Sequence, residues 1–157
     1  MPRIVLFQPQ IPPNTGNVAR TCAATDCELH LIEPLGFEIS DRTVKRAGLD
    51  YWPWVQLQRH HDWAAFQTHR LARGGRLLAL SSHGEQGYHQ IQYEPEDWLL
   101  FGRETDGLPA ALVEEAQTCL TIPMPGSVRH GGGVRSLNLS VAVGVVLFEA
   151  LRQLEPR

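Results

Sequence analysis

Three short polar segments, each set against an apolar run, hold the residues of this chain best suited to chemistry. Asn14-Thr15-Gly16-Asn17 comes first, with Arg20 one helical turn later. Phe101-Gly102-Arg103-Glu104-Thr105-Asp106-Gly107-Leu108-Pro109 is the second. The third runs from Ile122-Pro123-Met124 to Ser136-Leu137-Asn138-Leu139-Ser140. Glycine lets a backbone approach a ligand closely, and Asn, Ser and Glu add directional hydrogen bonds. Asn17 and Arg20 share one helix face, which suits a phosphate or a ribose as well as it suits a cap with one exposed arginine. Gly102 at a strand end would admit a cofactor against the backbone, with Glu104 and Asp106 beside it. A strand-to-helix turn with a solvated glutamate has the same composition. Ser136 and Asn138 stand where a helix begins, either to hold a ligand at exposed N–H groups or simply to cap. There is no Gly-x-Gly-x-x-Gly fingerprint and no Gly-Lys-Ser/Thr phosphate loop. That sets aside dinucleotide-dependent dehydrogenases and P-loop enzymes.

Charge offers further candidates. The net charge is −3, so attraction to nucleic acid must come from local clusters. Of the 14 basic residues only Lys45 is a lysine. Arginine grips phosphate in a fork and stacks on bases, although a general arginine preference would give the same count. Arg42, Lys45 and Arg46 form one cluster, and Arg129, His130 and Arg135 another. Cys22, Cys27 and Cys119 have no metal-ligand spacing and are expected to be reduced, mostly buried thiols. His60-His61 is not spaced like a zinc ligand pair. The pair is expected at a helix start or solvated turn, and no metal is expected.

These residues need a scaffold to position them. Ile4-Val5-Leu6-Phe7, Leu29-His30-Leu31-Ile32, Leu77-Leu78-Ala79-Leu80, Trp98-Leu99-Leu100-Phe101 and Leu120-Thr121-Ile122 read as buried strands, and Val55-Gln56-Leu57 as an alternating one. Pro12-Pro13 is expected to block helix until Asn14, the N-cap of a helix from about Thr15 to Thr25. Asp41 is expected to cap a short helix stopped by Gly48, and Asp62 another through Trp63 and Phe66. Leu108-Pro109 opens a helix, and Ser136 to about Leu154 forms the longest. Gly126 to Val134 reads as a glycine-rich functional loop. Strands alternating with helices imply an α/β domain, residues 1–157, with a mostly parallel sheet covered on both faces. With 43% hydrophobic and 20% charged residues the chain reads as a globular protein. Its longest apolar run, Val141 to Phe148, cannot span a bilayer, and the first residues lack a signal peptide's apolar region. A cytoplasmic protein is expected.

From Ile4 to Leu151 the three segments, in this order, resemble the SPOUT class of RNA methyltransferases. They are most similar to its short tRNA 2'-O-methyltransferases that act at the wobble nucleotide, position 34, cytidine or modified uridine. The resemblance implies a C-terminal deep trefoil knot, a homodimer whose partner completes each site, and S-adenosylmethionine as cofactor. It implies cofactor contacts from Leu80, Gly102, Ile122, Ser136 and Leu137, and catalytic roles for Arg20, Glu104 and Asn138. The tRNA anticodon stem-loop is the implied partner, with Asn14, Asn17, Arg42, Arg46, Arg129 and Arg135 as candidates to bind it. Methylation of another tRNA or rRNA nucleotide, or RNA binding without catalysis, are the alternatives. Arg103 stands where the similar enzymes usually carry Pro.

Overall fold

Every residue from Arg3 to Phe7 is buried, because the first strand, β1, lies mid-sheet with both faces covered. The computed structural model of the protein describes residues 1–39 and 52–156. The helix expected after Asp41 lies outside the described residues. Chain order is β1 (Arg3–Phe7), α1 (Pro12–Thr25), β2 (Glu28–Ile32), a 3-10 turn at Trp52–Trp54, β3 (Gln56–His60), α2 (Trp63–Arg73), β4 (Leu77–Leu80), β5 (Gln86–Gly87), β6 (Trp98–Phe101), α3 (Ala110–Glu115), β7 (Thr118–Thr121), α4 (Pro125–His130) and α5 (Leu139–Leu154). The strands form one sheet in the order β3-β2-β1-β6-β4-β7-β5, with every pair parallel.

Alternation along each strand sorts its side chains between two cores. Ile4, Leu6, Leu29, Leu31, Leu78, Leu99 and Leu120 pack with Val18, Ala19 and Cys22 of α1 and Val143, Val146, Leu147 and Ala150 of α5. Val5, Phe7, Ile32, Leu77, Trp98 and Leu100 pack on the other face with Phe66 of α2 and Leu112 of α3. Each such large apolar side chain contributes roughly 1.5–3 kcal/mol by leaving water. Trp98 is fully buried without an orphaned donor, since its Nε1–H donates to the Gly74 carbonyl at 2.9 Å.

Several boundaries differ from those the residue pattern suggests. Helix α1 begins at Pro12, not after Asn14: both prolines sit in the first turn, where no intrahelical N–H is required. Asn14 is therefore inside the helix and is not its cap. Helix α5 starts at Leu139, three residues beyond the expected Ser136, and its N-cap is Asn138, whose Oδ1 accepts from the Ser140 N–H at 2.9 Å. Residues 126–134 are not all loop. Pro125–His130 forms a short helix, ended by Gly131 at φ 67°. Gly131, Gly132 and Gly133 all adopt positive φ, which is where glycine is needed. His60 ends β3 and is buried, contrary to the helix start or solvated turn expected, whereas His61 next to it is exposed in the turn before α2. Asp62 does cap α2, accepting from the Ala65 N–H at 2.8 Å.

Candidate active site at the carboxyl ends of the strands

Strands β4, β6 and β7 lie side by side and all point the same way, so the three loops that follow them meet. A cavity of about 490 Å³ opens there, within the usual size range of small-molecule sites. Leu80, Phe101 and Ile122, with Leu139 from α5, give it apolar walls; Ser81, Ser82 and Asn138 add polar ones.

The loop after β6 is tightly built. The Arg103 N–H donates to the Gly107 carbonyl at 3.2 Å and the Gly107 N–H returns to the Arg103 carbonyl at 3.0 Å, closing a turn. Gly107 sits at φ 69°. A Cβ on Gly102 would overlap the backbone of Gly107 and Leu108. Glycine is thus required at 102 first by the loop's own fold, before any ligand is considered. Arg103 forks onto Asp106 at 2.7 and 2.8 Å and donates to the Gln8 Oε1 at 2.9 Å. That bond holds the Asp106 carboxyl below the usual carboxylate range, so Asp106 is an occupied acceptor and not a general base. The arginine at this position therefore pins the loop to the end of β1 by side-chain bonds.

Glu104 accepts from the Gln10 backbone N–H at 2.8 Å, and the Thr105 hydroxyl donates to the Gln10 Oε1 at 2.8 Å. The loops after β1 and β6 are thus tied together beside the cavity. Asn138 does two things: its Oδ1 caps α5, and its Nδ2 donates to the Asn14 Oδ1 at 2.9 Å. The start of α5 is thereby fixed against the start of α1.

Of the residues proposed from sequence, Leu80, Gly102, Ile122, Ser136 and Leu137 all line this cavity, as do Glu104, Asn138, Asn14 and Arg135. Arg20 and Asn17 are exposed on α1 and do not line it; neither does Arg129, exposed on α4. Arg42 and Arg46 lie outside the described residues. Sequence reasoning missed the Ser81-Ser82-His83 wall after β4, whose signal was Gly84. A Cβ there would overlap the Leu120 backbone, and the Ser81 N–H donates to the Leu120 carbonyl at 2.9 Å. Gln8 and Gln10, which brace the second loop, carry no local signal.

Comparison with known proteins agrees with this geometry. Residues 1–148 match the SpoU rRNA Methylase family. A tRNA (cytidine(34)-2'-O)-methyltransferase of Yersinia pestis is 47% identical over 159 residues, covering 98% of this chain and 94% of that protein. A solved structure described as giving insight into 2-OH methylation of C/U34 on tRNA is 51% identical, with a TM-score of 0.89 over 98% of this chain and 96% of that one. An AdoMet-bound rRNA methyltransferase from Sinorhizobium meliloti is 30% identical, with a TM-score of 0.84 over 99% of this chain and 57% of that one.

Proposed function

Because the chain belongs to the SpoU rRNA Methylase family, we propose that it methylates the ribose 2'-hydroxyl of the wobble nucleotide, position 34, of tRNA. The observation that carries this reading is the cavity at the ends of β4, β6 and β7, into which all five expected cofactor residues converge. The near-full-length similarity to enzymes named for cytidine 34 supports the choice of nucleotide.

The cavity suits S-adenosylmethionine. Its volume is in the range for small-molecule sites, part of its wall is apolar, and the rest is serine, asparagine and loop residues. Leu80, Gly102, Ile122, Ser136 and Leu137 would hold it. When bound, it supplies a methyl group on a positively charged sulfur, the electrophile of the reaction. Glu104 and Asn138 act by fixing the loops that form the site, through Gln10 and Asn14 respectively. A guanidinium is a poor proton acceptor. The role of Arg20 in this reading is to grip a phosphate and orient the hydroxyl, whose proton leaves to water or another group. Arg129, Arg135, Asn14 and Asn17, together with Arg42 and Arg46 outside the described residues, are the candidates to bind the RNA. The reading extends to a homodimer, the C-terminal trefoil knot and a cytoplasmic location. No described helix is long and apolar enough to cross a membrane.

The test is single-turnover transfer of labelled methyl to tRNA, with nucleoside mass spectrometry of the product. A 2'-O-methylated nucleotide 34 is expected. Arg20→Ala should leave cofactor affinity within about twofold and slow transfer by about 100-fold or more, the size of effect of a lost orienting group. Arg20→Lys should restore little, because an ammonium cannot reproduce the fork. Methyl appearing elsewhere in the RNA, or an Arg20→Ala enzyme as fast as its parent, would reject the assignment of substrate or of residue.

A further inference from the structure

On the sheet face covered by α2, away from the cavity, three histidines from three elements converge: His30 of β2, His60 at the end of β3 and His69 of α2. One ring nitrogen from each lies within 4.8 Å of the other two. His30 Nδ1 and His60 Nε2 are 2.9 Å apart, with ring planes within 12° of each other. His30 Nε2 is 2.8 Å from the Glu28 Oε2. Glu28 in turn receives the Arg73 fork at 2.7 and 2.8 Å, which with smaller help from His30 holds its carboxyl down at about 2. The Nε2 of His69 is shut off from solvent and has no hydrogen-bond partner. Trp98 stands edge-on to His30 at 4.9 Å and Phe66 to His60 at 5.3 Å, so the surroundings are apolar.

The arrangement leaves one buried ring nitrogen, His69 Nε2, without a hydrogen-bond partner. His30 is wholly buried and His60 nearly so. Glu28 accepts the Nε2 proton of His30, which leaves His30 Nδ1 as a lone pair facing the other two rings. One hydrogen bond from His60 satisfies it, and His69 still has a sealed nitrogen with nothing to bond. An unsatisfied buried polar group is destabilising. Ring nitrogens of three histidines within 4.8 Å of one another, one ring held by a carboxylate behind it, form a donor set for a metal ion.

We propose that His30, His60 and His69 bind one divalent ion of the zinc class, which clamps α2 to the outer edge of the sheet. This runs against the absence of metal expected from the spacing of His60-His61, because the ligands come from separate elements. Zinc–nitrogen bonds of about 2.0–2.1 Å put tetrahedral ligands about 3.4 Å apart, a value between the 2.9 Å and 4.8 Å seen here. His30 ligates through Nδ1 and keeps its Nε2 proton on Glu28. His60 ligates through Nε2 and carries its proton on Nδ1 instead, so no net proton is released. Water takes the fourth position. Imidazole donors favour Zn, Co, Ni or Cu over Mg and Ca. The nearby cations do not oppose the ion directly, since Arg73 is paired with Glu28 and Arg3 with Glu96.

The experiment uses untagged full-length protein stripped with chelator and titrated with Zn²⁺ and Co²⁺. Expected are one equivalent bound per chain, visible absorption of four-coordinate cobalt, and a rise in Tm with metal. Glu28→Gln should weaken binding about 10- to 100-fold by freeing the His30 ring. His69→Ala should weaken it further and abolish the Tm rise, while His61→Ala, one residue from a ligand but exposed, should change nothing. Circular dichroism verifies the fold of each variant. Equal affinity for folded His69→Ala and parent overturns the proposal. Should His69→Ala fail to fold, the parent decides alone: no four-coordinate cobalt spectrum at one equivalent rejects the site.

Discussion

At the scale of single residues, position 102 separates two reasons for keeping a glycine. Sequence reasoning expects glycine there to leave room for a ligand. The structure adds a prior requirement, because a Cβ would overlap the turn at Gly107 and Leu108. A residue excluded only by a ligand can be enlarged without loss of stability, whereas one excluded by its own fold cannot. Gly102→Ala should therefore lower Tm and cofactor affinity together. Calorimetry and thermal melts on the same sample test this, and lost affinity at an unchanged Tm would mean that the loop yields and only the ligand clashes. Arg103 shows the opposite kind of tolerance. Its fork onto Asp106 and bond to Gln8 hold the loop in place by side-chain bonds. Cys22 illustrates a residue whose chemistry is switched off: burial pushes its thiol far above the ordinary range, in keeping with the buried, reduced thiol expected from sequence.

Among the elements, Asn138 joins two helices, and its two roles are separable by mutation. Its Oδ1 caps α5 and its Nδ2 ties that helix to Asn14 on α1. Asn138→Ala loses both and should cost about 1 kcal/mol of stability as a lost cap. Asn138→Asp keeps an excellent cap acceptor at a helix N-terminus but has no donor for Asn14. It should unfold in urea at nearly the parent midpoint while losing much of its methyl transfer. Full activity in Asn138→Asp would show that the bridge to Asn14 is dispensable. Strands β1, β2, β4 and β6 were legible as unbroken or nearly unbroken apolar runs, the mark of burial on both faces, whereas β3 was legible only by alternation and β5, Gln86–Gly87, not at all. The start of α1 was not, because prolines read as breakers unless one knows that they occupy the first turn. Helix α4 was hidden by Pro125-Gly126 at its start and by the three glycines that follow it. Of the three loops that form the cavity, those after β6 and β7 were legible through their polar residues at strand ends, whereas the Ser81-Ser82-His83 wall after β4 was not. The histidine cluster was not legible at all, because positions 30, 60 and 69 meet only through strand pairing and helix docking.

For the whole molecule, neither Arg20, expected to be catalytic, nor Asn17, expected to bind the RNA, reaches the cavity of its own chain. Both are exposed on α1 and line none of it. The helix packed beside α1 carries an apolar strip that a soluble monomer has little reason to show: Val141 is 51% exposed and Phe148 57%. They lie two turns apart on one side of α5, with Gly144 between them and open space around it, whereas Ala142 turns inward to the cavity. A second copy seated on this strip would cover it and bring its own α1 toward the first copy's cavity. A homodimer is expected by sedimentation equilibrium at micromolar concentration, and Phe148→Glu should yield a folded monomer that no longer methylates tRNA. Mixing variants tests the exchange of residues directly. Arg20→Ala has an intact cavity, and Gly102→Ala has an intact Arg20. If Arg20 serves the partner's cavity, each mixed dimer regains one complete site, and two inactive preparations become active after subunit exchange. If Arg20 serves its own chain, no mixed dimer contains a complete site and the mixture stays inactive. Recovery of activity would establish a shared site, and continued inactivity in a demonstrably mixed dimer would refute it.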